Sequence, residues 1–239
     1  MAKTFKHSGK LGDVIFSLPT MRALGGGILY LDPEGGAKEP IIAAGEKLRH
    51  RLTFDAAAIE SLRPLLSMQE YVTEVRHWNG EAVDYNLDRF RLHLADGRNV
   101  ADFHLDAFGL PSHHRDKAWL RVDSPQPIPD FPVVISRTAR YHGNDGWWDE
   151  FLYARHPQCA FVGLPKEHEI FEYTFGFPVR YYPTPTILDL ARVIAGCQLF
   201  VSNTSLANAI AEGLKQKKIL EVYRVWKNVF FNRPDAEYI

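Results

Sequence analysis

The stretch that most restricts the fold runs from Lys3 to Leu24. It opens on a strand-like run, Lys3 to His7, and turns through a loop carrying Gly9 and Gly12. The apolar residues that follow fall at Val14, Leu18, Met21 and Leu24, close to the stripe of a helix. Pro19 lies inside that stripe, so a kink or a restart of the helix is predicted there. Strand, glycine turn and helix in this order aim free backbone N–H groups and the positive end of the helix dipole at one point, which is a ready anion site. Asp13 falls at the helix start, as an N-cap or first-turn residue. Two roles are open to it. It can serve only the helix end, or it can be a carboxylate at the mouth of a cleft, available as a general base. The loop is not a Walker loop: Ser8-Gly9-Lys10 runs into Leu11 where Ser or Thr is required.

The rest of the chain repeats the strand–helix alternation. Gly25-Gly26-Gly27 reads as a flexible break, Ile28 to Leu31 as a second strand, and Asp32 to Gly36 as the turn after it. Strand, helix, strand predicts a parallel pair with a right-handed crossover. Residues 37–51 fit no pattern. A helix is expected over Asp55 to Leu66, a strand over Val72 to Trp78, a strand or irregular loop over Val83 to Phe90, and a short helix over Ala101 to Phe108. A further strand is expected over Ala118 to Val122. Residues 112–130, with Pro125, Pro127 and Pro129, read as a stiff linker. His113-His114 within it gives no metal site, because neighbours on an extended chain point opposite ways. From Phe131 the alternation restarts, with strands at 131–136, 159–163, 179–182, 198–202 and 219–223 and helices between them. The fold class is therefore α/β, with domains at 1–122 and 131–239. Trp147-Trp148 is expected as core and rim. The aromatic and basic segment Arg224 to Ile239 is expected to pack back across the first domain.

Composition excludes several classes. The 239 residues suit one large or two small domains, and a net charge of -1 gives no global field for nucleic acid. Cys159 and Cys197 cannot build a disulfide framework, which suits a reducing cytoplasmic setting. No leader-like apolar run opens the chain, and no segment approaches the ~20 apolar residues of a membrane span.

Two segments carry a resemblance. Gly12-Asp13-Val14 with Leu18-Pro19 and Arg22-Ala23-Leu24 is similar to the opening of the heptosyltransferase-like enzymes of glycosyltransferase family 9. Leu188 to Ala211 resembles that family's donor-diphosphate segment, in which a strand ends in an Asp-Ser/Thr-Gly-x-x-His turn that opens a helix. The resemblance implies two Rossmann-like domains facing across a cleft, the GT-B architecture. It makes Asp13 the catalytic base and Gly12 a binding residue for the nucleotide sugar, at a helix N-terminus that would stabilise reacting charge. On the donor side it implies Arg137, Thr138 and Arg140 in one loop, Glu167 against the nucleoside, and Asn203, Thr204, Ser205 and Asn208 at the diphosphate turn. The hydroxyls of Thr204 and Ser205 can add donors there. The chain departs from the family at four points. Asn203 replaces the turn's Asp, Ser205 its Gly and Asn208 its His. Asp145 and Gly146 stand where a phosphate-binding Lys precedes the Trp.

The function implied is metal-independent transfer of a sugar, hexosyl or heptosyl, from a nucleotide diphosphate sugar to an acceptor hydroxyl. The nucleotide sugar is a substrate, and no cofactor is expected. The missing Asp, Lys and His motivate an alternative, a catalytically silent protein that still binds a nucleotide or sugar. A third reading is glycosylation of nucleic-acid bases, which the near-neutral charge disfavours.

Overall fold

The computed structural model describes residues 2–33, 42–43, 46–47, 55–92, 98–143, 145–223 and 228–239. Most of the unpatterned stretch 37–51, the turn residues 34–36, Asn144 and the tail residues 224–227 lie outside the described residues. The chain divides into two compact units, residues 1–119 and 120–239, each with its own parallel sheet. Among the described residues no helix is long and apolar enough to cross a membrane.

The first unit runs β1 (Lys3–His7), α1 (Leu11–Ala23), β2 (Gly27–Leu31), a minor antiparallel pair β3 (Ile42–Ala43) and β4 (Glu46–Lys47), α2 (Ala56–Ser67), β5 (Val72–His77), β6 (Tyr85–Asn86), a 3₁₀ helix (Leu87–Leu92), α3 (Val100–Asp106) and a 3₁₀ turn (Ser112–Arg115). The main sheet is ordered β5-β2-β1-β6 and all its pairs are parallel. Its carboxyl ends therefore share one edge, where open α/β sheets take their ligands.

The helix after β1 does not restart at Pro19; α1 is assigned as one helix through it. A proline at that position leaves the Ile15 carbonyl without its helical donor. The indole Nε1 of Trp119 donates to that carbonyl at 3.0 Å. The triple glycine is a tight turn. Gly26 sits at φ 71°, and a Cβ there would lie 2.2 Å from the Tyr71 carbonyl oxygen. A Cβ on Gly27 would lie 2.0 Å from that of Lys3, so backbone approach demands glycine.

Three local expectations change. The 83–90 segment gives only the two-residue β6, because Asp84 takes the Thr4 N–H at 2.8 Å and its Oγ1 at 2.9 Å and the chain then coils into a 3₁₀ turn that buries Leu87 and Phe90. No strand forms over 118–122. Arg22 donates to the Ala118 carbonyl, the Tyr71 hydroxyl to that of Trp119, and the Leu120 N–H to the Gly213 carbonyl at 3.0 Å, so isolated bonds replace a ladder. His113 and His114 do not diverge: the 3₁₀ turn brings their ring centroids to 4.5 Å.

The second unit runs β7 (Val133–Ser136), α4 (Asp145–Arg155), a 3₁₀ turn (His156–Gln158), β8 (Cys159–Phe161), α5 (Pro165–Phe175), β9 (Arg180–Tyr181), α6 (Ile187–Gly196), β10 (Leu199–Asn203), α7 (Leu206–Leu214), β11 (Lys218–Glu221) and β12 (Ala236–Tyr238). Its sheet is ordered β12-β11-β10-β7-β8-β9, parallel throughout. The end of the tail thus joins this sheet as an edge strand. Trp148 is fully buried among Phe151, Phe161, Phe171 and Phe175, with Trp147 packed at the margin. Local signals agree with the packing. Thr186 and Asp189 form a reciprocal capping box on α6, at 3.1 and 3.2 Å, and Pro165 opens α5. Both cysteines are buried and unpaired.

Candidate functional site

In the first unit the loop from β1 into α1 is held from two sides. His7 ends β1 fully buried, and its Nδ1 accepts the Gly9 N–H at 2.8 Å. That contact puts the ring proton on Nε2, which has no hydrogen-bond partner among the described residues. Burial lowers the His7 pKa to about 4, against the pull of Asp88. His104 of α3 lies 5.2 Å from the His7 ring and stacks on Phe90 at 4.1 Å. Burial drives its pKa well below the usual histidine value.

From the other side Asp88 accepts the Ser8 N–H at 2.9 Å, the Ser8 hydroxyl at 2.6 Å and Arg91 Nη1 at 2.7 Å. Burial opposes its charge, but His7, the Ser8 donors and Arg91 together hold it down to about 2. Lys6 Nζ lies 2.9 Å from Asp32 and 3.6 Å from Asp88, over the face of Trp78. These groups gather at the carboxyl edge of the sheet.

Asp13 stands in this array as a first-turn residue of α1. The N-cap is Lys10, whose side chain makes no capping bond. The Asp13 carboxylate accepts the Lys10 backbone N–H, and Lys10 and Arg91 favour its charge. Burial outweighs them, so its pKa is raised. A first-turn contact and a perturbed carboxylate therefore coexist, and the geometry leaves both roles of Asp13 open. Gly12 precedes it in the same turn. Gly9 is the point of closest approach: a Cβ there would lie 2.4 Å from His7 Cε1 and 3.1 Å from both Arg91 Nη2 and the Asp13 Cβ.

In the second unit, the named residues follow the carboxyl ends of β7, β8 and β10. Arg137 is buried and committed. Its Nε donates to Glu221 at 2.7 Å and its Nη2 to Glu221 at 2.9 Å, with a further pair to Asp145. Glu221 also accepts Trp148 Nε1 at 2.9 Å and the Gly143 N–H at 2.6 Å. Burial opposes ionisation of Glu221, and these donors more than reverse that, so its pKa falls. Asn203 ties the next loop down: its Oδ1 accepts the Thr138 N–H at 3.1 Å, and its Nδ2 donates to the Thr138 carbonyl at 3.1 Å and to that of Arg140. Ser205 caps α7 through the Asn208 N–H at 3.4 Å. Asn208 lies beneath the turn, fully buried, accepting Lys218 Nζ at 2.8 Å.

The more open groups are Thr138, Arg140, Glu167, Thr204 and Ser205. Glu167 caps its own helix by accepting the Leu164 N–H at 3.1 Å; burial raises its pKa while Arg140 pulls it down. Around the β10–α7 turn, Ser202 Oγ, Thr204 Oγ1 and Asn208 Nδ2 are buried without hydrogen-bond partners among the described residues. Unsatisfied polar atoms at a helix N-terminus are what an anionic ligand would use.

Sequence reasoning singled out neither Glu221 nor Arg91, and left Asp88 inside the open 83–90 segment. The Asp88-x-x-Arg91 spacing was visible, but nothing local shows that its partner Ser8 lies 80 positions away. Among the described residues no group of three or more His, Cys, Asp or Glu side chains is arranged to hold a metal ion.

Paired parallel α/β units of this kind place the chain in the fold of solved bacterial glycosyltransferase structures. A glycosyl transferase family 9 structure from Veillonella parvula DSM 2008 matches with a TM-score of 0.63 and 11% identity, over 99% of this chain and 84% of that one. The E. coli ADP-heptose lps heptosyltransferase II structure matches at 0.59 and 13%, over 100% and 90% of the two chains. The E. coli heptosyltransferase WaaC structure with ADP-2-deoxy-2-fluoro heptose matches at 0.50 and 15%, over 100% and 93%. The sequence matches no protein-family model and no curated protein.

Proposed function

We propose that this chain is a glycosyltransferase that moves a sugar from a nucleotide diphosphate sugar to an acceptor hydroxyl. One observation carries the reading. The fold shared with heptosyltransferase structures coincides with a helix N-terminus at which, among the described residues, the Thr204 hydroxyl has no hydrogen-bond partner, at the turn where the sequence resembles a donor-diphosphate segment. In this reading the second unit takes the donor. The diphosphate meets the N–H groups of α7 with Thr204 and Ser205, while Thr138, Arg140 and Glu167 take the nucleoside side. Arg137, Asn203 and Asn208 hold that surface in shape from beneath. The first unit takes the acceptor. Asp13 accepts the acceptor's hydroxyl proton as its oxygen bonds to the anomeric carbon, and the bond from that carbon to the diphosphate breaks. The leaving charge goes to backbone N–H groups, with no metal ion in the step.

The two units would work together in the GT-B manner, and the free buried cysteines suit a reducing cytoplasm. The test is a panel of nucleotide sugars, ADP-heptose included, read by thermal stabilisation and by release of nucleoside diphosphate. One donor should raise the melting temperature, since a ligand that binds only the native state must stabilise it. No shift with any donor would reject the reading. The commitment of Arg137 and Asn203 to internal bonds favours one second reading, a silent binding protein. That reading requires stabilisation by a nucleotide with no release of diphosphate.

A further inference from the structure

The Arg91 guanidinium pairs with Asp88 through Nη1 at 2.7 Å. Its other end, Nη2, points over Gly9: the space a Cβ would occupy there lies 3.1 Å from Nη2 and 3.1 Å from the Asp13 Cβ. Glycine at position 9 is thus what lets a cation from the 3₁₀ helix reach the first turn of α1. Asp88 aims that cation, and the same carboxylate pins the loop through both Ser8 donors at 2.9 and 2.6 Å. One side chain therefore sets the position of the loop and of the Arg91 guanidinium together.

We propose that Arg91, aimed by Asp88, is a positioning residue for Asp13, supplying the cation that orients this carboxylate and keeps it charged where it would serve as the base. The proposal rests on the reading of Asp13 given above. Among the described residues, the other charged groups acting on Asp13 are Lys10 at the cap of its own helix and Asp88 from the 3₁₀ helix, while the neutral His7 of β1 borders the same Gly9 position, with the His104 ring 5.2 Å from it. Lys10 and the backbone N–H beside it support the charged form, and Asp88 and burial oppose it. Arg91 is the cation that reaches Asp13 from outside its own helix. A nearby opposite charge favours the charged form of a carboxylate, and here it acts after burial and Lys10.

The experiment is carboxyl-carbon NMR titration of Asp13 in the full chain, comparing the parent with Arg91→Met and Arg91→Lys. Arg91→Met should raise the Asp13 midpoint by about one unit or more, roughly a tenfold change in its proton affinity. Arg91→Lys should restore most of the difference. Arg91→Gln keeps a donor for Asp88 and replaces the Met variant if that one does not fold. Once a donor is found, the acid limb of the pH–rate profile should move to higher pH in the neutral variants, with the donor KM unchanged. A midpoint unmoved in a folded neutral variant overturns the proposal, whatever Asp13 does in catalysis. Full activity of Asp13→Asn would instead overturn the catalytic reading and leave the titration result standing, which separates the two failures.

Discussion

Glu221→Gln tests how the second unit is built. The carboxylate is fully buried and, among its partners, receives four donors: Arg137 Nε at 2.7 Å, Arg137 Nη2 at 2.9 Å, Trp148 Nε1 at 2.9 Å and the Gly143 N–H at 2.6 Å. Glutamine has the same shape, but one end becomes a donor facing donors. Either orientation leaves two of these four without an acceptor, one of them from Arg137, and leaves Asp145, a side chain 62% exposed, as the charged partner of that guanidinium. Removing one partner of a buried ion pair costs about 3–5 kcal/mol. The remaining Asp145 contact puts this case near the lower end. At about 4 °C per kcal/mol for a unit of this size, the melting temperature should fall by roughly 12 °C. Urea denaturation at neutral pH and calorimetry measure both quantities. The double variant Arg137→Met with Glu221→Leu removes both charges, so it should lose less than the single one. The pH dependence follows the lowered Glu221 pKa. Its contribution is present above the ordinary carboxylate value of 4.5 and is lost as pH falls through the folded value, and the Gln variant should lack it. A Gln variant within about 1 kcal/mol of the parent, or a double variant worse than the single, would refute the reasoning.

Two other perturbations probe the first unit. Gly9→Ala would place a methyl 2.4 Å from His7 Cε1, a buried ring with no room to retreat, so stability should drop by about 1–3 kcal/mol in urea titrations. His7 has an ordinary pKa of 6.5 and about 4 when folded, so between those values the unfolded chain holds the extra proton. Its contribution is complete above the upper value and falls by roughly 3 kcal/mol down to the lower one, at about 1.4 kcal/mol per unit. His104 acts in the same direction, so His104→Phe should show a shallower loss on acidification than the parent; identical slopes would count against this reading.

Strong local periodicity was legible. The opening strand–helix–strand, α5, α6, α7 and the strands at 133, 159 and 199 follow from apolar spacing, caps and glycine punctuation. What failed to show was structure held by single long-range bonds. The 118–122 segment has strand-like residues, yet Arg22 and Tyr71 take its first two carbonyls and the Leu120 N–H goes to the Gly213 carbonyl. Pro19 reads as a break, yet Trp119, 104 positions away from Ile15, takes up the freed carbonyl. At the candidate site the sequence singled out Asp13 and the β10–α7 turn, because both sit at helix starts beside glycine or hydroxyl residues. It could not show that Arg137 would be consumed by Glu221, or that Arg91 would arrive beside Asp13, because those pairings belong to the sheet order. Asn203 illustrates the same limit: position suggested a ligand contact, but did not show that its amide fastens the Thr138–Arg140 loop.

The measurement that bears most directly on the central claim is turnover of Asp13→Asn, with the donor found by the panel. Asparagine keeps the size of the side chain and its ability to accept the Lys10 N–H, so folding and donor affinity should stay at parent values. Release of nucleoside diphosphate with acceptor present should fall by roughly 10²–10⁴-fold, the usual worth of a positioned base. A folded Asp13→Asn protein that transfers sugar at the parent rate would contradict the account.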